Sequence, residues 1–139
     1  MCYRKLRKYK YQTLNTFTCP TDIKPPNDND IVTNFISLKT NGQLTIQSGY
    51  AWDGPSGPTI DTKTFMRGSL VHDALYQLMR EKHLTLENRN KADELLKKIC
   101  IEDGMNGFRA WYVYKAVHWC AEKNAKPPKK DQIQVICAP

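Results

Sequence analysis

His72 and Asp73 stand side by side in the stretch Gly49 to Met79, GYAWDGPSGPTIDTKTFMRGSLVHDALYQLM, where a turn-rich loop carrying Asp53 runs into an amphipathic pattern. Imidazole is the side chain whose ordinary pKa suits proton transfer near neutral pH. A carboxylate on one ring nitrogen fixes the tautomer and leaves the other nitrogen to accept a proton. Asp93, further along the chain, is the candidate for that carboxylate. Asp73 then has a separate use as a ligand for a hard cation, together with Asp53 and backbone oxygens of the loop Trp52-Asp53-Gly54-Pro55-Ser56-Gly57. Oxygen donors of this kind suit calcium, and glycine lets the carbonyls turn inward around it. A plainer reading uses the same residues. Asp53 and Ser56 cap a turn, and His72 and Asp93 form a structural hydrogen bond between two helices. On the residues alone both readings stay open.

The elements that must position these groups are legible from hydrophobic period and turn residues. Leu70, Val71, Ala74, Leu75, Leu78 and Met79 recur at three and four, which predicts a helix from about Thr64. A wheel centred on Val71, Leu75 and Leu78 sets His72 at the edge of the apolar stripe, half-buried, and turns Asp73 away from its centre. After the link Lys82 to Glu87 a second stripe appears, Ala92, Leu95, Leu96, Ile99 and Cys100, with Asp103-Gly104 as its stop. So short a link makes the two helices antiparallel neighbours, and Asp93 lies at the edge of its own stripe, where packing can bring it to the imidazole.

A third helix is expected from about Gly107 to Lys123. Its Phe108, Trp111, Tyr112, Tyr114 and Trp119 are expected to give the core its bulk. His118 on that helix is read as a packed or surface residue, because neither Cys100 nor Cys120 makes a hydrolase pattern with it. Pro127-Pro128 forbids further helix, and Lys129 to Pro139 reads as a basic tail with one strand-like run, Ile133 to Cys137. On the N-terminal side, residues 3 to 18 read as one or two strands ending at Cys19-Pro20, and Thr21 to Asp30 as a polar loop. The runs Ile31 to Leu38 and Leu44 to Tyr50 form a hairpin about Lys39-Thr40-Asn41-Gly42. The expected fold is therefore α+β: a small antiparallel sheet followed by three helices, one domain over residues 1–125 with a basic tail over 126–139.

Composition bounds the rest. A chain of 139 residues buries one core, and 40% hydrophobic with 25% charged residues is ordinary globular usage. No apolar run approaches the roughly 18 residues that span a bilayer, and MCYRKLRKYKYQ lacks a signal peptide's apolar stretch. The five cysteines contain no C-x-x-C pair, which favours free thiols over a zinc site. The net charge is +7, and Arg4, Lys5, Arg7, Lys8 and Lys10 alternate with Tyr3, Tyr9 and Tyr11. Such a segment suits an anionic lipid surface or nucleic acid; its plainer reading is an edge strand whose lysines block further pairing. An HD-type metal phosphohydrolase would need further histidines upstream of His72, and the chain has none.

Two resemblances sharpen these expectations. W-D-G-x-S-x-P, then L-V-H-D-x-L-Y, then R-x-x-x-D and Gly104, between about Leu44 and Cys120, resemble a phage and prophage domain family of unknown function. That likeness implies a phage setting, in the virion or the host cytoplasm, alongside other virion proteins. His72, Asp73 and Tyr76 as His-Asp-x-x-Tyr also resemble the signature helix of phospholipase A2 enzymes, most closely the bacterial and fungal branch. By that likeness His72 is the general base, Asp93 its orienting partner and Tyr76 a hydrogen-bond donor to Asp93. Asp73, Asp53 and the Gly54 carbonyl hold calcium, and the substrate is a phospholipid ester. The cysteines that flank the signature in that family are replaced here, with Leu70 and Leu75 nearby. A non-catalytic virion or accessory protein, using the same scaffold to bind a protein or nucleic acid, is the alternative.

Overall fold

Asn41-Gly42 closes the tight turn between two short strands. The Gly42 N–H donates to the Lys39 carbonyl at 2.9 Å and the Lys39 N–H to the Gln43 carbonyl at 2.9 Å. Gly42 has φ +90°, a left-handed conformation that glycine adopts without a steric penalty. The Thr21 N–H and hydroxyl both donate to the Gly42 carbonyl, at 2.9 and 2.7 Å. A Cβ at Gly42 would run into the Thr21 carbonyl oxygen, a backbone atom that cannot swing aside. Gly42→Ala is therefore expected to cost about 2 kcal/mol or more, from left-handed strain plus the clash, read as a lowered midpoint in urea denaturation.

The computed structural model describes residues 1, 3–5, 11–52 and 63–120. Among the described residues seven strands form two antiparallel sheets, where the sequence predicts one. The first contains β1 (Tyr3–Lys5), β2 (Tyr11–Thr13) and β7 (Ala51–Trp52) in the order β1-β2-β7. The second contains β3 (Phe17–Pro20), β4 (Ile31–Val32), β5 (Ile36–Leu38) and β6 (Gln43–Ile46) in the order β3-β6-β5-β4. In the hairpin, Ile36 faces Ile46 and Leu38 faces Leu44. All four are buried, so one face of that sheet belongs to the core. Among the described strands β1 lies at the edge of its sheet; Leu6 to Lys10, with most of the basic cluster to which the edge reading refers, lie outside the described residues.

The helices are α1 (Lys63–Arg80), α2 (Arg89–Glu102) and α3 (Gly107–Cys120). The first two are antiparallel, as expected from the short link: Arg67 reaches Glu102 and Asp103, Gly68 lies against Leu96 and Cys100, and His72 and Tyr76 meet Asp93. A Cβ on Gly68 would sit 2.8 Å from Leu96 Cδ1 and 3.0 Å from Cys100 Sγ. Glycine there lets the helices approach closely enough for the side chains one and two turns on to bond across the gap. The apolar faces of α1, α2 and both sheets share one core, in which Leu70, Leu75 and Leu78 pack with Ile36, Leu38, Leu44 and Ile46.

Two ties fix α1 against the first sheet. The Trp52 indole N–H donates to Ser69 Oγ at 3.1 Å, and the Tyr50 hydroxyl to Gln77 Oε1 at 2.9 Å. The aromatic bulk of the core comes from Tyr11, Tyr50, Trp52, Phe65 and Tyr76. This corrects the expectation for α3. Phe108 is 76% exposed, and Trp111 and Tyr112 are about half exposed. The buried sector of α3 is Ala110 and Val113, packed with Leu96, Cys100 and Met105 and extended by Val117. Small residues suit a close helix contact, and the large rings fall on the other side. The proposed end of this helix at Lys123, the Pro127-Pro128 break, the basic tail and its Ile133 to Cys137 run lie outside the described residues, as does the Trp119 side chain. Cys19 and Cys100 are free thiols, and among the described residues no helix is long and apolar enough to cross a membrane.

Candidate functional site

Asp93 has no solvent exposure, and both of its oxygens are occupied. His72 and Tyr76 lie four residues apart on α1 and so share one face. His72 Nε2 lies 2.7 Å from Asp93 Oδ1, and the Tyr76 hydroxyl donates to the same oxygen at 2.6 Å. The two rings pack at 4.1 Å between centroids. From α3, His118 Nδ1 lies 2.8 Å from Asp93 Oδ2. An ionised carboxylate only accepts, so each imidazole presents an N–H to it. Three donors from two helices thus offset the cost of burying one charge on the third.

The sequence reading brought His72, Tyr76 and Asp93 together, and the structure does the same. His72 is more deeply placed than the wheel suggested, with a side chain only 7% exposed rather than half. A wheel sees a helix's own stripe; here α2 also closes over the edge of that stripe. Asp73 is partly exposed, with Oδ1 3.9 Å from His72 Nδ1. That is too long for a hydrogen bond, so Asp73 acts on the ring through its charge. Asp53 and Gly54 lie outside the described residues, and among those described no three or more His, Cys, Asp or Glu side chains cluster as a metal site.

Burial alone would pull the His72 imidazole toward its neutral form, but the nearby carboxylates of Asp73 and Asp93 outweigh it and hold its pKa above the usual value. Burial pushes the Asp93 carboxyl up, and the hydrogen bonds from His72, Tyr76 and His118 overcome that and hold it below the carboxylate range. The two shifts bound stability from opposite sides. A depressed carboxylate stabilises the fold above its unfolded pKa, and that contribution fades as pH falls through the folded value. A raised imidazole stabilises fully below its unfolded pKa, and the contribution fades as pH rises through the folded value. Both are fully present only between roughly pH 4 and 6.5, so the melting temperature is expected to peak there and fall on the alkaline side. Calorimetry across pH checks this, and His72→Asn should flatten the alkaline fall.

His118 is the residue that sequence reasoning missed. Its signal was the spacing of Ala110, Val113 and Val117, which defines the buried sector of α3 and sets His118 and Tyr114 on its border. The Tyr114 ring stacks on His118 at 5.7 Å, and its hydroxyl donates to Asn90 Oδ1 at 3.2 Å.

Fold and site together define an α+β protein whose three helices converge on one buried carboxylate held by two histidines and a tyrosine. The family described as "Protein of unknown function (DUF1353)" matches residues 31–117, well over half of the chain, and the chain belongs to it. The matched segment contains His72, Asp73, Tyr76 and Asp93 and stops one residue short of His118. No curated protein and no solved structure matches the chain.

Proposed function

We propose that the protein is a phage-encoded, calcium-dependent ester hydrolase of the phospholipase A2 type, acting on membrane lipid. The observation that carries this reading is the 2.7 Å contact between His72 Nε2 and Asp93. With Nε2 committed to the carboxylate, and the carboxylate held by Tyr76, the lone pair of Nδ1 is left on the side of Asp73. A water on Nδ1 gives up its proton to the ring as its oxygen attacks an ester carbonyl, and the ring returns the proton to the departing alcohol. Asp93 keeps the ring in one tautomer and stabilises the imidazolium.

Asp73 fits the part of a calcium ligand, a hard oxygen donor partly open to solvent and near the reactive nitrogen. Asp53 and the Gly54 carbonyl would complete the set, and Trp52, the chain neighbour of Asp53, is anchored to Ser69 one turn before His72. When bound, the ion would polarise the ester carbonyl and stabilise negative charge on its oxygen. The phage setting rests on the sequence likeness alone. The test is fatty-acid release from anionic phospholipid vesicles. It should require added calcium, stop with a chelator and fall steeply in Asp73→Asn; release indifferent to calcium would sink the metal's part.

One observation favours the alternative, a virion or accessory protein that uses the scaffold to bind a partner. His72 is 7% exposed and Asp93 ties α1, α2 and α3 together, as a structural brace also requires. Under that reading vesicles are not hydrolysed, while loss of Asp93 still destabilises the protein.

A further inference from the structure

Asp93 orients two imidazoles, and the more exposed of them is not His72. The His118 side chain is 28% exposed against 7% for His72. His118 Nδ1 faces a carboxylate that has no exposure, so the part of the ring left to solvent is its far edge, which carries Nε2. Among the described residues Nε2 has no hydrogen-bond partner. The ring is held twice, by Asp93 at 2.8 Å and by the stacked Tyr114, which is itself tied to Asn90. A surface histidine that only solvates a helix needs neither restraint. A carboxylate on one nitrogen gives His118 what it gives His72: a fixed tautomer, and a lone pair on the opposite nitrogen.

We propose that His118 is a second proton-accepting residue of this site, with Nε2 as the nitrogen that the Asp93 cluster presents to solvent and to an acyl substrate. In that role Nε2 takes the proton of a water or alcohol as its oxygen bonds to an acyl carbon, and returns that proton to the departing alcohol oxygen as the old acyl C–O bond breaks, while Nδ1 stays hydrogen-bonded to Asp93. The proposal rests on the hydrolase reading for its substrate class, but the reactivity of the ring can be measured without any substrate.

The chain has three histidines, which makes the measurement internally controlled. His83 is 42% exposed, and its nearest carboxylate, Glu81, is 3.9 Å away, so it serves as the unoriented reference. Diethyl pyrocarbonate is the probe. An imidazole nitrogen attacks its carbonyl carbon, a C–O bond to ethyl carbonate breaks, and the proton given up by the acylated ring leaves with that group as ethanol and carbon dioxide. The native protein is treated at one pH and the modified histidines are followed by peptide mass spectrometry. His118 is expected to react several-fold faster than the more exposed His83, with His72 the slowest, and Asp93→Asn should bring His118 down to the rate of His83 or below. His118 reacting no faster than His83 overturns the proposal, as does a His118 rate that Asp93→Asn leaves unchanged. Should Asp93→Asn fail to fold, the comparison within the wild type decides.

A second arm separates this role from bracing. Asparagine at position 118 keeps a donor near the place of Nδ1 but has no basic nitrogen. His118→Asn is therefore expected to retain the wild-type melting temperature and lose more than about tenfold in kcat for lipid hydrolysis. Full kcat in His118→Asn overturns the proposal. No hydrolysis by the wild type overturns the hydrolase reading instead, and the acylation rates then judge His118 by themselves.

Discussion

Asp93→Ala is expected to destabilise the protein by about 3–5 kcal/mol, the range for removing one partner from a buried, hydrogen-bonded charge cluster. The variant removes the acceptor shared by the Tyr76 hydroxyl and the facing N–H groups of His72 and His118, each of which donates to Asp93 at 2.6–2.8 Å in the folded protein. Tyr76 and His72 are buried, so neither gains a full shell of water in exchange for the lost acceptor. A hole the size of a carboxylate opens at the same point. For a domain of this length that is a large fraction of total stability. Urea denaturation followed by tryptophan fluorescence checks it, and a loss below about 1 kcal/mol would mean that the three helices do not depend on this carboxylate.

His72→Asn should lower lipid hydrolysis by about 10²–10⁴-fold, the range supplied by one positioned base. Asparagine offers no nitrogen that accepts a proton, and its amide falls near the place of Nδ1, short of the Nε2 contact with Asp93. The wild-type rate should climb as pH passes upward through the His72 pKa, which the flanking carboxylates Asp73 and Asp93 hold above the ordinary imidazole value. The same upward passage removes the stabilisation that the charged ring supplies. Activity and thermal stability are therefore expected to move in opposite directions across that range, and only in a protein that retains His72.

Much of this was readable in the sequence because the deciding interactions are local or lie on stripes of fixed period. Asn41-Gly42 gave its hairpin, and the stripes through Leu75 and Leu96 gave the antiparallel pair α1 and α2. Once those stripes face each other, His72, Tyr76 and Asp93 meet at their common edge. The division into two sheets was harder to read, because β7 pairs with β2 across a long loop of sequence and nothing local in Tyr11 or Trp52 names the other. His118 is hard to read for a related reason. The large aromatic rings mark the exposed side of α3, while the face that docks is built from Ala110 and Val113. Where α3 crosses α2 follows from packing between residues distant in sequence, and that crossing alone brings His118 to Asp93.

The most direct test of the central claim, that the Asp93-oriented His72 activates water against a lipid ester, is fatty-acid release from anionic phospholipid vesicles with calcium. Wild type and His72→Asn are compared side by side, with the melting temperature of each measured in the same buffer. Steady release by the wild type is expected, with a loss of at least about a hundredfold in a variant that remains folded. No release by the wild type, or equal release by a folded His72→Asn, would contradict the claim.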